Sequence, residues 1–355
     1  MNMGTALQTS AIELLTQLIS IPSFSKEEDG TASAILEFLS KHSVEAKRQG
    51  NNVWALNAYF DSSKPTVLLN SHHDTVKPNP QYKRDPFKPE IIDGKLFGLG
   101  SNDAGGPLVS LIASFLHFFN RRDLKYNLVL AATAEEEISG TGGIESIWSL
   151  LPKIDFAIVG EPTLCQMATA EKGLMVLDCV AHGKAGHAAR EEGVNAIYEA
   201  LTDIEWFRTY RFPEVSKTLG PVKMTVTVIN AGKQHNVVPA ECLFTVDVRV
   251  TDCYTLEELL NLIRSNVKCE VKPRSMRMRP SGIADNHPLV KAASKLGIST
   301  YGSPTTSDQA LIPAPSIKMG PGDSARSHTA DEFIFVDEIR QGIEIYVKVL
   351  DEIIN

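Results

Sequence analysis

Residues 66–74 read TVLLNSHHD. Five residues of mostly apolar, β-favouring character run straight into two histidines and an aspartate. A short apolar run bounded by polar residues reads as a strand buried on both faces, the kind found in parallel sheets. Three further runs share the pattern: NLVLAATA (127–134), IDFAIVG (154–160) and SIKMG (316–320). Between and around them lie segments with apolar residues at helical spacing. These are AIELLTQLI (11–19, stopping before Pro22), TASAILEFL (31–39), PLVSLIASFLHFF (107–119) and GGIESIWSLL (142–151). Strands alternating with helices predict an α/β layer structure, a mostly parallel sheet flanked by helices. His117 falls on the apolar face of its segment and reads as a core residue.

The middle of the chain follows a different rule. KMTVTVI (223–229) and FTVDVRV (244–250) alternate apolar and polar residues, the period-two signature of a sheet with one covered face. TLEELLNLI (255–263) puts Leu256, Leu259, Leu260 and Ile263 on one helical face, and Thr255 with Glu258 forms a capping-box pattern at its start. Residues 173–272 read strand, helix, strand, strand, helix, strand, the β-α-β-β-α-β order of a ferredoxin-like unit. The expected organisation is one domain of residues 1–170 and 283–355, with an α+β domain of residues 171–282 inserted into it.

Composition narrows the function classes. The chain has 355 residues, 43% of them hydrophobic, and a net charge of −8. No Lys/Arg-rich block is present, so nucleic-acid binding has no electrostatic footprint. The longest apolar run is too short to span a bilayer. The N-terminal residues lack the basic start and apolar core of a signal peptide. Five cysteines without a CxxC pair read as thiols in a reducing cytosol, which points to a cytoplasmic protein.

Ligands of open α/β sheets bind outside the carboxyl ends of the strands. Each buried run here leads there to a possible metal ligand. TVLLN leads to His72, His73 and Asp74; NLVLAATA to Glu135, Glu136 and Glu137; IDFAIVG to Glu161; SIKMG, through a Gly-rich loop, to His328. A further acid, Asp103, lies in GLGSNDAGG (98–106) just before a helix. Taken singly, a His-x-Asp is a polar loop, a triple glutamate is a solvated charge run, and a Gly-rich segment suggests a phosphate loop. GLGSNDAGG, however, lacks GK[ST] and a preceding buried strand. Taken together, histidines and carboxylates at one end of one sheet suit a divalent metal such as zinc. Adjacent carboxylates repel one another unless a cation compensates. His72, Asp103, Glu137, Glu161 and His328 supply five ligands for two ions, with Asp103 as the bridge. Asp74 is left to orient His72, and Glu136 to act as general base.

These segments resemble the M20 metallopeptidases. SHHDTV (71–76), GLGSNDAGG, TAEEE (133–137), VGEPT (159–163) and GPGDSARSHTADEFI (320–334) are similar to that family's motifs in order and spacing along nearly the whole chain. Glu135 stands where the family often has Asp, and Ala104 where it often has Met; a Lys common before the two glycines is missing. The resemblance implies two zinc ions per subunit, with cobalt or manganese as substitutes. His72, Asp103 and Glu161 would hold one ion, and Asp103, Glu137 and His328 the other. Glu136 would be the base and Asp74 the orienting residue.

The inserted domain resembles the family too, as a dimerisation and lid domain. GKAGHAA (183–189) implies that His187 reaches the active site of the partner subunit in a homodimer; on the bare residues a loop histidine is the favoured reading. QHNVVPAE (234–241) and DVR (247–249) imply substrate contacts by Asn236 and Arg249, and Lys172 and Ser307 are further candidates. Asp247 and Arg249 share one strand face, which also fits a solvated surface. The implied reaction is hydrolysis of a small-molecule amide. GEPT and GVNAIYEAL (193–201) resemble deacylases of N-acetyl- or N-succinyl-L-ornithine in arginine biosynthesis. The alternatives are N-succinyl-L,L-diaminopimelate desuccinylation in lysine biosynthesis, a dipeptidase or carboxypeptidase, or a metal-binding dimer without catalysis.

Overall fold

A computed structural model describes residues 3–354, which divide into two compact units. The first holds residues 3–170, 282–301 and 307–354; the second holds Glu171–Ser281 and Gly302–Thr306. The helices are α1 (Met3–Ile19), α2 (Asp29–Lys41), α3 (Gly106–Phe118), α4 (Ile144–Trp148), α5 (Ala196–Thr209), α6 (Leu256–Asn266), α7 (Pro288–Lys295) and α8 (Val336–Ile354). Ten of the thirteen strands in the two main sheets are β1 (Ala46–Gln49), β2 (Asn52–Leu56), β3 (Thr66–His72), β4 (Asn127–Thr133), β5 (Phe156–Gly160), β6 (Gly173–His182), β7 (Lys223–Ala231), β8 (Glu241–Val250), β9 (Glu270–Pro273) and β10 (Ser316–Met319).

The nine-stranded sheet of the first unit runs β1-β2-β4-β3-β5-β10 and continues into short strands, the first of which, Met167–Glu171, is antiparallel to β10. β4, β3, β5 and β10 are mutually parallel, while β1 and β2 add an antiparallel edge. Every residue of the four parallel strands is buried. Successive side chains of a strand point to opposite faces, so each run feeds two cores. Val67 and Leu69, Leu128 and Leu130, and Ile158 pack with Leu14 and Leu15 of α1, Leu111 and Phe115 of α3, and Tyr346 and Leu350 of α8. Leu68, Val129, Ala131, Ala157 and Val159 pack on the other side with Trp54 and with Ile144 and Ile147 of α4. Each buried Val, Leu or Ile among them contributes about 1.5–3 kcal/mol by leaving water, which is why the middles of β3, β4 and β5 are apolar; β10 differs, with Lys318 buried inside the strand. Two elements are shorter than the sequence suggests. β5 starts at Phe156 because Asp155 turns its carboxylate to the Thr66 amide, 2.8 Å away. α4 is a single short helix after Gly143. His117 is half-buried rather than a core residue, with its ring edge-on to Phe118.

In the second unit the elements follow the order β6-α5-β7-β8-α6-β9, and the strands stand side by side as β7-β8-β6-β9, all antiparallel. One face is buried: Met175 and Leu177 of β6 and Val246 and Val248 of β8 pack with Phe207 of α5 and Leu259 and Ile263 of α6. The capping box at Thr255 and Glu258 is formed. β7 departs from its sequence pattern. A register shift between Val226 and Val228 breaks the alternation, and Val228 and Ile229 are about half exposed on this edge strand. No helix among the described residues is long and apolar enough to cross a membrane.

Candidate metal centre

Because β3, β4 and β5 are parallel, their carboxyl ends fall on one edge of the sheet, and the polar residues that follow them meet there. His72 closes β3, Glu136 and Glu137 follow β4, and Glu161 follows β5. Asp103 comes from the segment before α3, where the Asp103–Ala104 peptide is cis. Ligand atoms of His72, Asp103 and Glu137 all lie within 4.8 Å of one another. Nε2 of His72 stands 3.3 Å from Asp103 Oδ1, 3.8 Å from Glu161 Oε1 and 3.9 Å from Glu136 Oε2. Nε2 of His328 stands 3.0 Å from Glu137 Oε2 and 3.7 Å from Asp103 Oδ2. Asp103 thus turns one oxygen toward each histidine.

The adjacent His73 has no such role. Its Nδ1 meets the Thr31 hydroxyl and its Nε2 the Asn51 carbonyl, both at 2.9 Å, so both nitrogens are engaged in packing. Asp74 is buried and takes three donors: the Ser25 hydroxyl at 2.7 Å and the backbone N–H groups of Glu136 and Glu137 at 3.1 Å each. Its carboxylate also lies 3.4 Å from His72 Nδ1, which meets the Asp74 backbone carbonyl at 3.1 Å. Asp74 therefore fixes both the histidine and the turn that carries two of the glutamates.

The charges of the cluster are out of balance. Burial pushes Glu161 up to about 8, and Asp103 adds to the shift. Burial also raises Glu136 well above the usual carboxylate range, reinforced by Glu161 and Glu137. The hydrogen bond to Glu137 lifts His328 to about 9. Burial opposes a charged His72, but Glu136 and Asp103 outweigh it and hold its pKa well above the ordinary value. Four carboxylic acids and two histidines crowded together repel unless protons or a cation neutralise them. Oxygen and imidazole donors at this spacing fit a divalent metal.

The other residues singled out in the sequence lie elsewhere. His187, Asn236, Lys172 and Arg249 belong to the second unit. His187 and Asn236 are exposed neighbours, tied through the Asn236 carbonyl and the Ala188 N–H at 3.0 Å. Arg249 grips Asp247 with two bonds, of 2.8 and 3.0 Å, and donates to Thr306 Oγ1 at 3.3 Å. Lys172 donates to the Pro221 carbonyl at 2.6 Å. Ser307, in the first unit, is buried and caps a short turn by accepting from the Gln309 N–H.

Two acids near the cluster escaped sequence reasoning. Asp308 is buried and accepts from Thr133 Oγ1 at 2.6 Å and Asn70 Nδ2 at 2.9 Å. Glu332 is buried beneath the Asp103 segment, and burial and Asp103 push it up to about 8 against the pull of its backbone donors. Both follow a residue already singled out, Ser307 and His328, but nothing local marks an acid as buried.

Comparison with known proteins bears on this geometry. Residues 68–352 match peptidase family M20/M25/M40. The chain is 28% identical to the succinyl-diaminopimelate desuccinylase of Wolbachia pipientis subsp. Culex pipiens (96% of this chain, 92% of that one). It is 29% identical to the acetylornithine deacetylase of Proteus mirabilis (93% and 94%). Its fold is similar to that of the YXEP protein of Bacillus subtilis, described as a dinuclear metal-binding M20 peptidase, with TM-score 0.71, 16% identity and 98% of each chain covered. The chain belongs to peptidase family M20/M25/M40 and is a metal-dependent amide hydrolase.

Proposed function

We propose that this hydrolase removes the acyl group from an N-acyl amino acid, N-acetyl- or N-succinyl-L-ornithine first. The observation that carries the site assignment is Asp103, with one carboxylate oxygen toward His72 and the other toward His328. On this reading His72, Asp103 and Glu161 hold one ion, and Asp103, Glu137 and His328 a second, zinc being the metal proposed. When bound, the ions polarise the amide carbonyl and neutralise the surrounding carboxylates. Glu136, which is not assigned as a ligand, takes a proton from the attacking water and returns it to the leaving amine. Burial has already made its carboxylate a stronger base than an exposed glutamate. Asp74 keeps His72 oriented and Glu136 in reach.

The second unit, on the same reading, is the ferredoxin-like inserted domain of residues 171–282, through which two copies dimerise. The half-exposed Val228 and Ile229 of its edge strand support this. His187 would then serve the partner's site, stabilising the oxyanion, and Asn236 would contact the substrate beside it. Arg249 would exchange Asp247 for the substrate carboxylate, a bidentate grip for which its fork is suited; Lys172 and Ser307 are further candidates for substrate contact. We place the protein in the cytoplasm, where its five free thiols stay reduced.

A second reading is N-succinyl-L,L-diaminopimelate desuccinylation, favoured by the Wolbachia relative. Amine release from N-acetyl-L-ornithine, N-succinyl-L-ornithine and N-succinyl-L,L-diaminopimelate, side by side, separates the readings. A tenfold preference in kcat/KM, about 1.4 kcal/mol of transition-state discrimination, names the substrate. No turnover on any of them removes the deacylase reading and moves the search to dipeptides.

A further inference from the structure

Three backbone amides of the Asp103 segment converge on one buried carboxylate. Glu332 Oε1 accepts from the N–H of Asn102 and of Asp103, both at 2.9 Å, and Oε2 accepts from Gly100 N–H at 3.1 Å. Glu332 is itself anchored: its N–H donates to the Tyr82 hydroxyl at 3.2 Å and its carbonyl accepts from Gly98 N–H at 3.0 Å. A second tie joins the same two stretches of chain. The Asn102 side chain donates to the Asp323 carbonyl and accepts from the Asp323 N–H, each at 3.0 Å. The segment carrying Asp103 and the loop carrying His328 are thus stapled together, and Glu332 lies four residues beyond His328.

We propose that Glu332 is a positioning residue for the metal centre. It fixes the main chain of Asp103 relative to His328, so that the two oxygens of one carboxylate can serve two ions at once. The inference rests on the reading of Asp103 as the bridging ligand. A side chain that uses both oxygens cannot make up for a shifted backbone by rotating, because rotation that restores one contact lengthens the other. Bound geometry has to hold within about half an ångström, and only the backbone amides of the segment can set it. Asp203 provides an internal comparison. It is also buried and clamps two amides, those of Lys268 and Cys269 at 3.0 and 2.8 Å, but in the second unit, where none of the proposed metal ligands lies.

The test strips the metal from wild type, Glu332→Gln, Asp203→Asn and Asp103→Ala, titrates each with zinc against a chromophoric chelator, and records the melting temperature of each metal-free form. Gln keeps one acceptor oxygen and turns an N–H₂ toward an amide donor, so its clamp is broken. We expect zinc affinity in Glu332→Gln to fall about tenfold to hundredfold, the range for residues that orient ligands. Asp203→Asn should lower the melting temperature and leave zinc binding unchanged. A fall in Glu332→Gln of less than about threefold, with zinc binding lost in Asp103→Ala, overturns the role of Glu332 alone. If Asp103→Ala binds zinc as wild type does, the bridge reading fails first. Should Glu332→Gln not fold, Glu332→Asp decides: it keeps both acceptors one methylene short, and an affinity equal to wild type overturns the proposal.

Discussion

Asp74 accepts the backbone N–H of Glu136 at 3.1 Å, so the residue that orients a proposed ligand also holds the proposed base. The same carboxylate takes the Glu137 N–H and faces His72. Replacing Asp74 with Asn keeps its shape but sets an N–H₂ against one of these donors. The expected result is a loss of about ten- to hundredfold in kcat/KM, with weaker metal binding. Steady-state kinetics at several zinc concentrations check it; activity within twofold of wild type would remove the coupling.

Glu136→Gln should act differently. It leaves all five proposed ligands in place and removes only the proton acceptor. Metal content is expected to stay at the wild-type level while kcat falls about 10²- to 10⁴-fold. Metal analysis of the purified variant beside its kcat decides the matter. Undiminished turnover sinks the assignment of the base.

Removing the metal should destabilise the first unit. Its buried acids and histidines then have only protons to relieve their repulsion. Binding of an ion to the folded state alone adds RT ln(1 + [L]/Kd), about 4.1 kcal/mol at a thousandfold excess over Kd. Calorimetry with and without chelator is expected to show an upward shift in melting temperature with zinc. A coincident pair of scans would contradict a metal site in this unit.

A pH effect arises away from the centre, at His287. This residue caps α7: its Nδ1 accepts the Leu289 N–H at 3.2 Å, which requires a neutral ring. Burial holds its pKa below the ordinary value of 6.5. A depressed folded pKa means that the stability is present above the unfolded value and is lost as pH falls through the folded one. His287→Asn, which caps at any pH, should flatten this part of the acid dependence by up to about 1 kcal/mol. Melting temperatures at neutral pH and between about pH 5 and 6, for both proteins, measure it. Equal slopes would remove the cap from the account.

The parallel sheet was legible because its strands need unbroken apolar runs to feed cores on both faces. His72, Glu137 and Glu161 were legible because they lie where those runs stop; Asp103, which follows no buried strand, stood out only within its Gly-rich segment. The division of labour between His72 and His73 was carried over from a family motif; the physical reason is tertiary, since Thr31 and Asn51 engage both nitrogens of the second ring. The i, i+2 spacing of Asp247 and Arg249 showed a shared face but not that the two grip each other. Glu332 and Asp308 were invisible as buried acids because each sits in a polar stretch, and only distant segments cover them. The exposure of Val228 and Ile229 likewise depends on a bulge that the alternating pattern does not announce.

The place of β10 in the sheet has a consequence for how the protein is made. β10 lies against the free side of β5, yet it follows the whole of β6 to β9 in the chain. On the ribosome, residues emerge N-terminus first, so the apolar edge of β5 stays open while the entire second unit is synthesised. All the strands and helices of that unit are complete before Ser316 leaves the exit tunnel. The nascent first unit therefore waits with an unpaired strand edge, the feature that recruits chaperones and invites mispairing. His328, supplied still later, makes the full set of proposed ligands a mark that synthesis has passed this point.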